Sequence, residues 1–548
     1  MNLMHFCLIL LSLLVLSGIL SRLLYFIPTP LIQVLVGMLI GILLPQFHQL
    51  FNPELFMLLF IPPLLFSDSW RFPKREFMAY KRPIILLAIG LVLFTVFGIG
   101  YLFHWLVAAP LAACFAAAAA LAPTDAVSLK SLTAHSGLPS RLTHILQGES
   151  LLNDASGLVA FKLSAAALLT GYFSWTEASV KMIIVSCGAL FVGVALTFLF
   201  VLALGQISSK NHSETCTENL FIILLPYAAY ISAEYCGFSG IIAAVAAGFS
   251  LDWAGFMDKT LMTMRIEGYF VWGMIEMVLN GIVFILLGLY LPHSLELISN
   301  TGVSIGQYWQ WVLIITLTLA ALRVLWVYLT LPFEALLAHH RNTELYIPNL
   351  KLVLTLAFGG VRGTITLAAI LSLPVWMPDG AHVPQRTLLI TLVVGVIFFS
   401  LLLSALFLTI ITPFLQNMIE KLPAEEEQFA RIAAAKAAIK AIEEKMHRLS
   451  RGLNQEEEIL CIETGNNLTA SLSYFINSGI GNKKQRALGR KALYFERTLR
   501  NAAFEAARTE LRNLIKSGEI NNHTMTQVMH ILDIRQLSIN SSFINRQP

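Results

Sequence analysis

The sequence predicts an all-α polytopic membrane protein: about 13 transmembrane helices arranged as two inverted repeats with crossed broken helices, followed by a helical cytoplasmic tail. Three observations carry that prediction. Hydrophobic residues make up 56% of the 548-residue chain and charged residues only 13%, whereas soluble domains carry about 25% charge to stay in water. The apolar residues fall into runs near the roughly 20 residues that a helix needs to cross a bilayer. Two runs, one in each half, are interrupted by proline or glycine beside ionisable side chains, the pattern expected of a midplane site between inverted repeats.

Charge divides the chain. Residues 421–548 hold 19 of the 37 Lys and Arg and 14 of the 33 Asp and Glu. The expected boundary near Glu420 separates a membrane domain, 1–420, from a tail, 421–548, whose expected role is regulatory.

The first apolar run, 6–26, has no basic region before it and no small-residue cleavage pattern after it, so it reads as a retained helix and not as a signal peptide. Polar or Pro/Gly punctuation then delimits 28–45, 53–67, 83–106, 109–134, 141–170, 176–205, 218–234, 237–251, 268–291, 308–338, 349–376 and 387–415. Gly237 separates the eighth run from the ninth; without it, 218–251 would read as one long bent helix. Alternate loops carry thirteen basic residues, including Arg22, Arg71, Lys74, Arg75, Lys81 and Arg82, against Arg386 alone in the other set. The positive-inside rule therefore places the N-terminus outside and the tail in the cytoplasm. In the tail, Ile432, Ala435, Ile439, Ile442, Met446 and Leu449 recur at the spacing of a helix seam. A second charged helix is expected from about Lys484 to Lys516. Its basic stretch, Lys483 to Lys491, reads as a solvated face and not as a nucleic-acid or lipid site.

Several classes are excluded. The six cysteines are scattered without a CxxC pair or zinc spacing, so neither a disulfide frame nor a structural metal is indicated. No Gly-Lys dipeptide occurs, which removes the P-loop and ATP hydrolysis of that type.

A charge at mid-bilayer costs about 2.5–3.5 kcal/mol or more, so each needs a partner or a task. The fifth and sixth runs hold several together. Ala122-Pro123-Thr124-Asp125-Ala126 interrupts an alanine-rich helix, and Gly148-Glu149-Ser150-Leu151-Leu152-Asn153-Asp154 lies within the next. Ser150 and Asp154 share one helix face, Glu149 and Asn153 a neighbouring one. The first pair offers hard oxygen ligands for Na⁺ or Li⁺ and, at the carboxylate, for a proton. The second can bond to another helix, and a polar interior that only holds helices together is the simpler reading for Glu149. In the twelfth run, Phe358-Gly359-Gly360-Val361-Arg362-Gly363 supplies the matching interruption. Arg362 keeps its charge and so requires an acid. Glu149 is the first expected partner and Glu276 the second. Glu276 and Asn280 otherwise read as packing groups, while Glu234, Lys162 and Lys181 lie where water or the bilayer surface is within reach.

These motifs, with Phe60-Ile61-Pro62-Pro63-Leu64-Leu65 and Gly237-Phe238-Ser239-Gly240, resemble the sodium/proton exchanger superfamily, specifically its electroneutral cation:proton antiporter-1 branch with bacterial members. The resemblance covers about residues 1–415. It implies a secondary transporter of the bacterial plasma membrane, not an enzyme, exchanging Na⁺ or Li⁺ for H⁺ one for one. No resident cofactor and no nucleic-acid partner are expected; membrane lipid surrounds the chain, and a homodimer is implied. Residue by residue, it implies Asp154 as the cation- and proton-binding carboxylate and Ser150 and Thr124 as oxygen ligands of Na⁺. Asp125 would compensate the facing helix ends, and Glu149 would pair with Arg362 in a network with Asn153. Where the family places an acid after its Pro-Pro, this chain has Ser67, with Asp68 one residue on. One residue is about 100° of helix, so Asp68 is not expected to take that acid's place.

A K⁺/H⁺ antiporter of the same fold is the alternative. Two remoter readings are a cation channel and an intramembrane serine protease built on Gly237-Phe238-Ser239-Gly240 with His104 or His144 as base.

Overall fold

A computed structural model describes residues 3–24, 27–44, 53–125, 140–171, 175–208, 215–254, 256, 262–299, 302–340, 350–377, 381–415, 422–450, 455–480 and 483–517, with isolated positions beyond. The chain divides into two units, Met1–Ile419 and Glu420–Pro548. Among the described residues every named element is helical, and extended pairing is confined to one bridge between Trp376 and His382.

In the first unit the helices are α1 (Leu3–Leu23), α2 (Thr29–Leu43), α3 (Pro53–Arg71), α4 (Lys74–Val107), α5 (Leu111–Leu121), α6 (Ser140–Thr170) and α7 (Trp175–Ser208). They continue with α8 (Thr215–Tyr235), α9 (Gly240–Ser250), α10 (Met262–Ser299), α11 (Ile305–His340), α12 (Leu350–Gly359), α13 (Thr364–Leu371) and α14 (Arg386–Leu415). By length and composition α1, α4, α6, α7, α10, α11 and α14 can cross a membrane, and α2, α5 and α9 are shorter apolar helices. Phe191 and Phe270 are more than two-thirds exposed on their helices, which is stable only where the surrounding solvent is lipid. Gly237 sits at φ 77° between α8 and α9, a left-handed position open to glycine without strain, and it does separate the two helices. The expected second half of the fifth run, 126–134, lies outside the described residues.

The packing repeats itself. α2 packs on α10, and α9 on α3; α1 touches α2 and α10, and α8 touches α9 and α3. α4 lies on α5, and α11 on α12; α5 packs on α6, and α12 and α13 on α14. Matching α1–α6 with α8–α14, where α12 and α13 together answer α5, maps each pair onto its counterpart, as two copies of one fold in a chain require. Lipid tails are as apolar as leucine, so these contacts depend on close approach and not on the hydrophobic effect. Glycines provide it. A Cβ on Gly37 would overlap the Ile285 carbonyl, one on Gly288 the Val34 carbonyl, and one on Gly248 the Phe66 carbonyl.

Two local features were not expected from the sequence. Leu86–Leu91 within α4 is a π-helical turn, which leaves carbonyls without regular partners. Trp326 Nε1 donates to Leu86 O at 3.2 Å and Ser156 Oγ to Ala88 O at 2.6 Å. In the second unit, α15 (Leu422–Leu449) and α17 (Lys483–Lys516) match the two expected tail helices, but α16 (Gln455–Ile480) lies between them and packs on both. Ile432 and Ala435 of the seam are buried, and Met446 meets Gly465 of α16, whereas Leu449 is exposed.

Gly288→Val should destabilise the protein by about 1–3 kcal/mol through overpacking against α2, read as a lower melting temperature in detergent. Gly18→Val, where nothing lies within 4 Å of the added Cβ, should leave that temperature nearly unchanged.

Candidate functional site at the crossing of the broken helices

α5 is alanine-rich because other helices must come close to it: Ala116 to Ala120 are all buried. Proline at 123 removes a backbone donor and ends the helix; Ala122 caps it, and Pro123 to Asp125 lie outside it. Gly157 on α6 admits the ring of Pro123, since a Cβ there would collide with it. In the other repeat, α12 stops at Gly359 and α13 starts at Thr364. The two breaks meet directly: Asp125 N donates to Val361 O at 2.7 Å.

Broken helices leave bare ends, and the end charges decide what surrounds them. Arg362, buried at 6% exposure, donates from Nε to Leu121 O at 2.9 Å and from a terminal nitrogen to Gly360 O. It thus satisfies carbonyls at the C-terminal ends of both α5 and α12. Asp125 lies against Gly363, the N-cap residue of α13, where a negative charge is favoured. A Cβ at Gly363 would overlap the Asp125 side chain, and one at Gly360 would overlap Arg323. The glycines are therefore the space in which these charges sit.

The partner expected for Arg362 is corrected by this arrangement. Glu149 pairs with Arg323 of α11, both nearly inaccessible, with side chains 1% and 3% exposed. Arg362 stays in the same charged network, near Arg323, with its Nε and one terminal nitrogen donating to helix-end carbonyls. The second expected partner, Glu276, pairs with Arg71 at 2.6 Å and accepts from Ser67 Oγ. Lys162 and Glu234, expected near water, form a half-exposed pair at 2.6 Å, and Glu234 also accepts from Gly240 N at 3.1 Å.

α6 presents the remaining groups to the break. Ser150 Oγ donates to Thr124 O at 2.5 Å. Asn153 Nδ2 donates to Thr124 Oγ1 at 2.8 Å, and Thr124 N to Asn153 Oδ1 at 3.4 Å. Thr124 is thereby held at both its backbone and its side chain. Beside it lies a cavity of about 30 Å³, lined by Thr124, Asp125, Ser150 and Asp154 and also by Asp68, Asn280 and Thr366. One water needs about 10–15 Å³ on this measure, so the space suits one cation with little of its hydration shell. Asp154 is 8% exposed there.

Four expected site residues thus share one cavity wall, and Asn153, Glu149 and Arg362 support it from behind. Asp68, Asn280 and Thr366 are additions. Asp68 follows Leu64 by one helical turn and faces the cavity with it, while Ser67 is turned to Glu276 of α10. Leu64, Leu65 and Asp68 form one helix face, and position 67 lies off it. Ser239 of the protease-like motif accepts from Ile242 N at 3.5 Å as the N-cap of α9, and His104 Nδ1 contacts Ala109 O at 2.8 Å. That serine starts a helix.

A family model for the transmembrane sodium/hydrogen exchanger matches residues 9–413. The chain belongs to the sodium/hydrogen exchanger family. It is 38% identical over 534 residues to the uncharacterized Na(+)/H(+) exchanger YjcE of Escherichia coli, with 95% of each chain covered. It is also 38% identical over 408 residues to a sodium, potassium, lithium and rubidium/H(+) antiporter of Bacillus subtilis, covering 74% of this chain and 61% of that one. The solved sodium proton antiporter MjNhaP1 of Methanocaldococcus jannaschii shares the fold at a TM-score of 0.58 and 19% identity, covering 76% of this chain and 99% of that one. As a family member the chain is a secondary transporter and not an enzyme: an integral protein of the bacterial plasma membrane that exchanges a monovalent cation for a proton.

Breaking one member of a buried pair leaves the other charge uncompensated, at a cost of about 3–5 kcal/mol. Glu149→Gln and Arg323→Gln should each destabilise by that order, and the double mutant by clearly less than the sum. Combining Glu149→Gln with Arg362→Gln should come closer to additivity. Melting curves in detergent measure all three; coupling of Glu149 to Arg362 and not to Arg323 would reverse the assignment.

Proposed function

We propose that this exchanger carries Na⁺ or Li⁺ against H⁺ by alternating access, one cation for one proton, with Asp154 as the group that both compete for. The carrying observation is a buried carboxylate in a cavity of about 30 Å³ at the crossing of the two breaks, with hydroxyl and carbonyl oxygens beside it. A desolvated carboxylate needs a counter-charge, and either a cation or a proton supplies it. Having one or the other, but not both, is what couples the two fluxes.

Ser150 supports a ligand role because it lines the cavity with its proton directed to Thr124 O, so that its oxygen acts as an acceptor there. Thr124 supplies oxygen at a break where the backbone cannot close a helical turn. Asp125, set against the N-terminus of α13, stays ionised as part of the framework. Asp68 adds a second carboxylate to the wall; in a one-for-one cycle it keeps its charge state. Potassium is the alternative cation, favoured by the breadth stated in the name of the Bacillus subtilis relative. No resident cofactor is required. The N-terminus lies outside and the tail in the cytoplasm, by the distribution of basic loops. The protein works as a homodimer in the lipid bilayer, with the tail, 421–548, as a regulatory domain.

In inverted vesicles, cation-induced proton movement tested with Na⁺, Li⁺ and K⁺ in turn identifies the substrate. Asp154→Asn should abolish it in a folded, inserted protein; retained sodium-driven proton movement removes Asp154 from the mechanism. In proteoliposomes, a potential imposed with potassium and valinomycin should leave sodium-driven proton flux unchanged where K⁺ is not itself carried. Voltage dependence would bring Asp68 or Asp125 into the cycle. Truncation after Leu422 should preserve exchange and alter its pH dependence or dimer stability.

A further inference from the structure

Three hydroxyl groups border the cavity, and two of them are committed. Ser150 Oγ donates to Thr124 O, and Thr124 Oγ1 accepts from Asn153 Nδ2. The third, Thr366, is 1% exposed, and its Oγ1 has no hydrogen-bond partner among the described residues. Helical threonines commonly satisfy themselves on the carbonyl of the preceding turn, as Thr197 and Thr316 do here. Thr366 does not. A buried hydroxyl without a partner is unfavourable, and valine would fill the same volume without that cost. The hydroxyl therefore needs a reason at this position, and the position is the cavity wall beside Asp154.

We propose that Thr366 is a ligand of the transported cation, supplied by the second broken helix to a site whose proposed ligands Asp154, Ser150 and Thr124 come from the first repeat. The inference rests on the reading of Asp154 as the cation-binding carboxylate. Thr366 is the third residue of α13, whose N-terminus repels a cation; Asp125 against Gly363 offsets that field, so a neutral oxygen can be offered there. Turning χ1 between staggered wells moves the hydroxyl without moving the backbone. A hydroxyl adds a ligand but no titrating group, so it alters cation affinity without altering the number of protons exchanged. It also ties the two crossed helices together when the cation is bound: Ser150 and Thr124 belong to one repeat, Thr366 to the other. The bound cation then fastens the crossing, and protonation of Asp154 alone does not.

The test compares Thr366→Val, Thr366→Ala and Thr366→Ser in proteoliposomes, with Asp154→Asn in parallel. Losing one oxygen from a cation should raise the apparent KM for Na⁺ about tenfold or more, with the maximal rate little changed. Thr366→Ser should restore KM to near the wild-type value. Purified wild type should also gain a Na⁺-dependent rise in melting temperature that shrinks in the valine and alanine variants. If KM and the sodium-dependent stabilisation are unchanged in either the valine or the alanine variant, Thr366 is not a ligand. A lower maximal rate at unchanged KM would show a structural role and also overturns the proposal. Should valine not fold, the alanine and serine variants decide on the same readouts. Exchange persisting in Asp154→Asn would instead sink the underlying site, whatever the threonine variants do.

Discussion

Two helices that stop inside a bilayer create the constraint on which the rest of the structure depends. Each stop exposes backbone groups that lipid cannot solvate, and each exposed end carries part of a helix dipole. The chain answers at the crossing itself. Asp125 N bonds to Val361 O, Arg362 takes the carbonyls of Leu121 and Gly360, and the Asp125 side chain lies against Gly363. Charge is thus placed at helix ends because the ends are there. Asp154, with Asp68 across the wall, faces a small cavity instead of a helix end.

That arrangement needs thin walls. Five consecutive buried alanines on α5, Gly157 behind Pro123, and Gly360 and Gly363 beside the two arginines and Asp125 all trade side-chain volume for proximity. The same device recurs away from the site, at Gly37, Gly288 and Gly248, where α2 meets α10 and α9 meets α3. Bilayer helices gain little from burying apolar surface against one another. Close backbone contact is what keeps a pair of repeats in register, and a site between them can then have fixed geometry.

Much of this was legible in the sequence because membrane depth makes each charge conspicuous. Asp154, Ser150, Thr124 and Asp125 stood out as polar residues beside a proline in an apolar background, and they line one cavity. The glycine-flanked Arg362 marked the second break. Partner choice was not legible. Glu149 had two arginines within reach of a three-dimensional pairing, and spacing along the chain cannot tell that Arg323 of α11 arrives first. Asp68 lines the cavity on the same helix face as Leu64, a placement that phase counted from position 67 does not bring out. Thr366 carried no signal as a lone threonine in an apolar helix; only its missing hydrogen bond distinguishes it. In the tail, α16 carries the polar stretch Thr464-Gly465-Asn466-Asn467 at its middle, which interrupts its apolar repeat and hid it from the pattern read in α15.

The central claim is that one buried carboxylate exchanges a proton for a cation at a single site. Purified protein in weakly buffered detergent, titrated with sodium chloride while a pH electrode and a calorimeter record together, tests that claim without vesicles or gradients. Release of about one proton for each sodium bound, falling away as the starting pH is raised beyond the titration of the site, is the predicted result. Sodium binding with no proton released at any starting pH would contradict it.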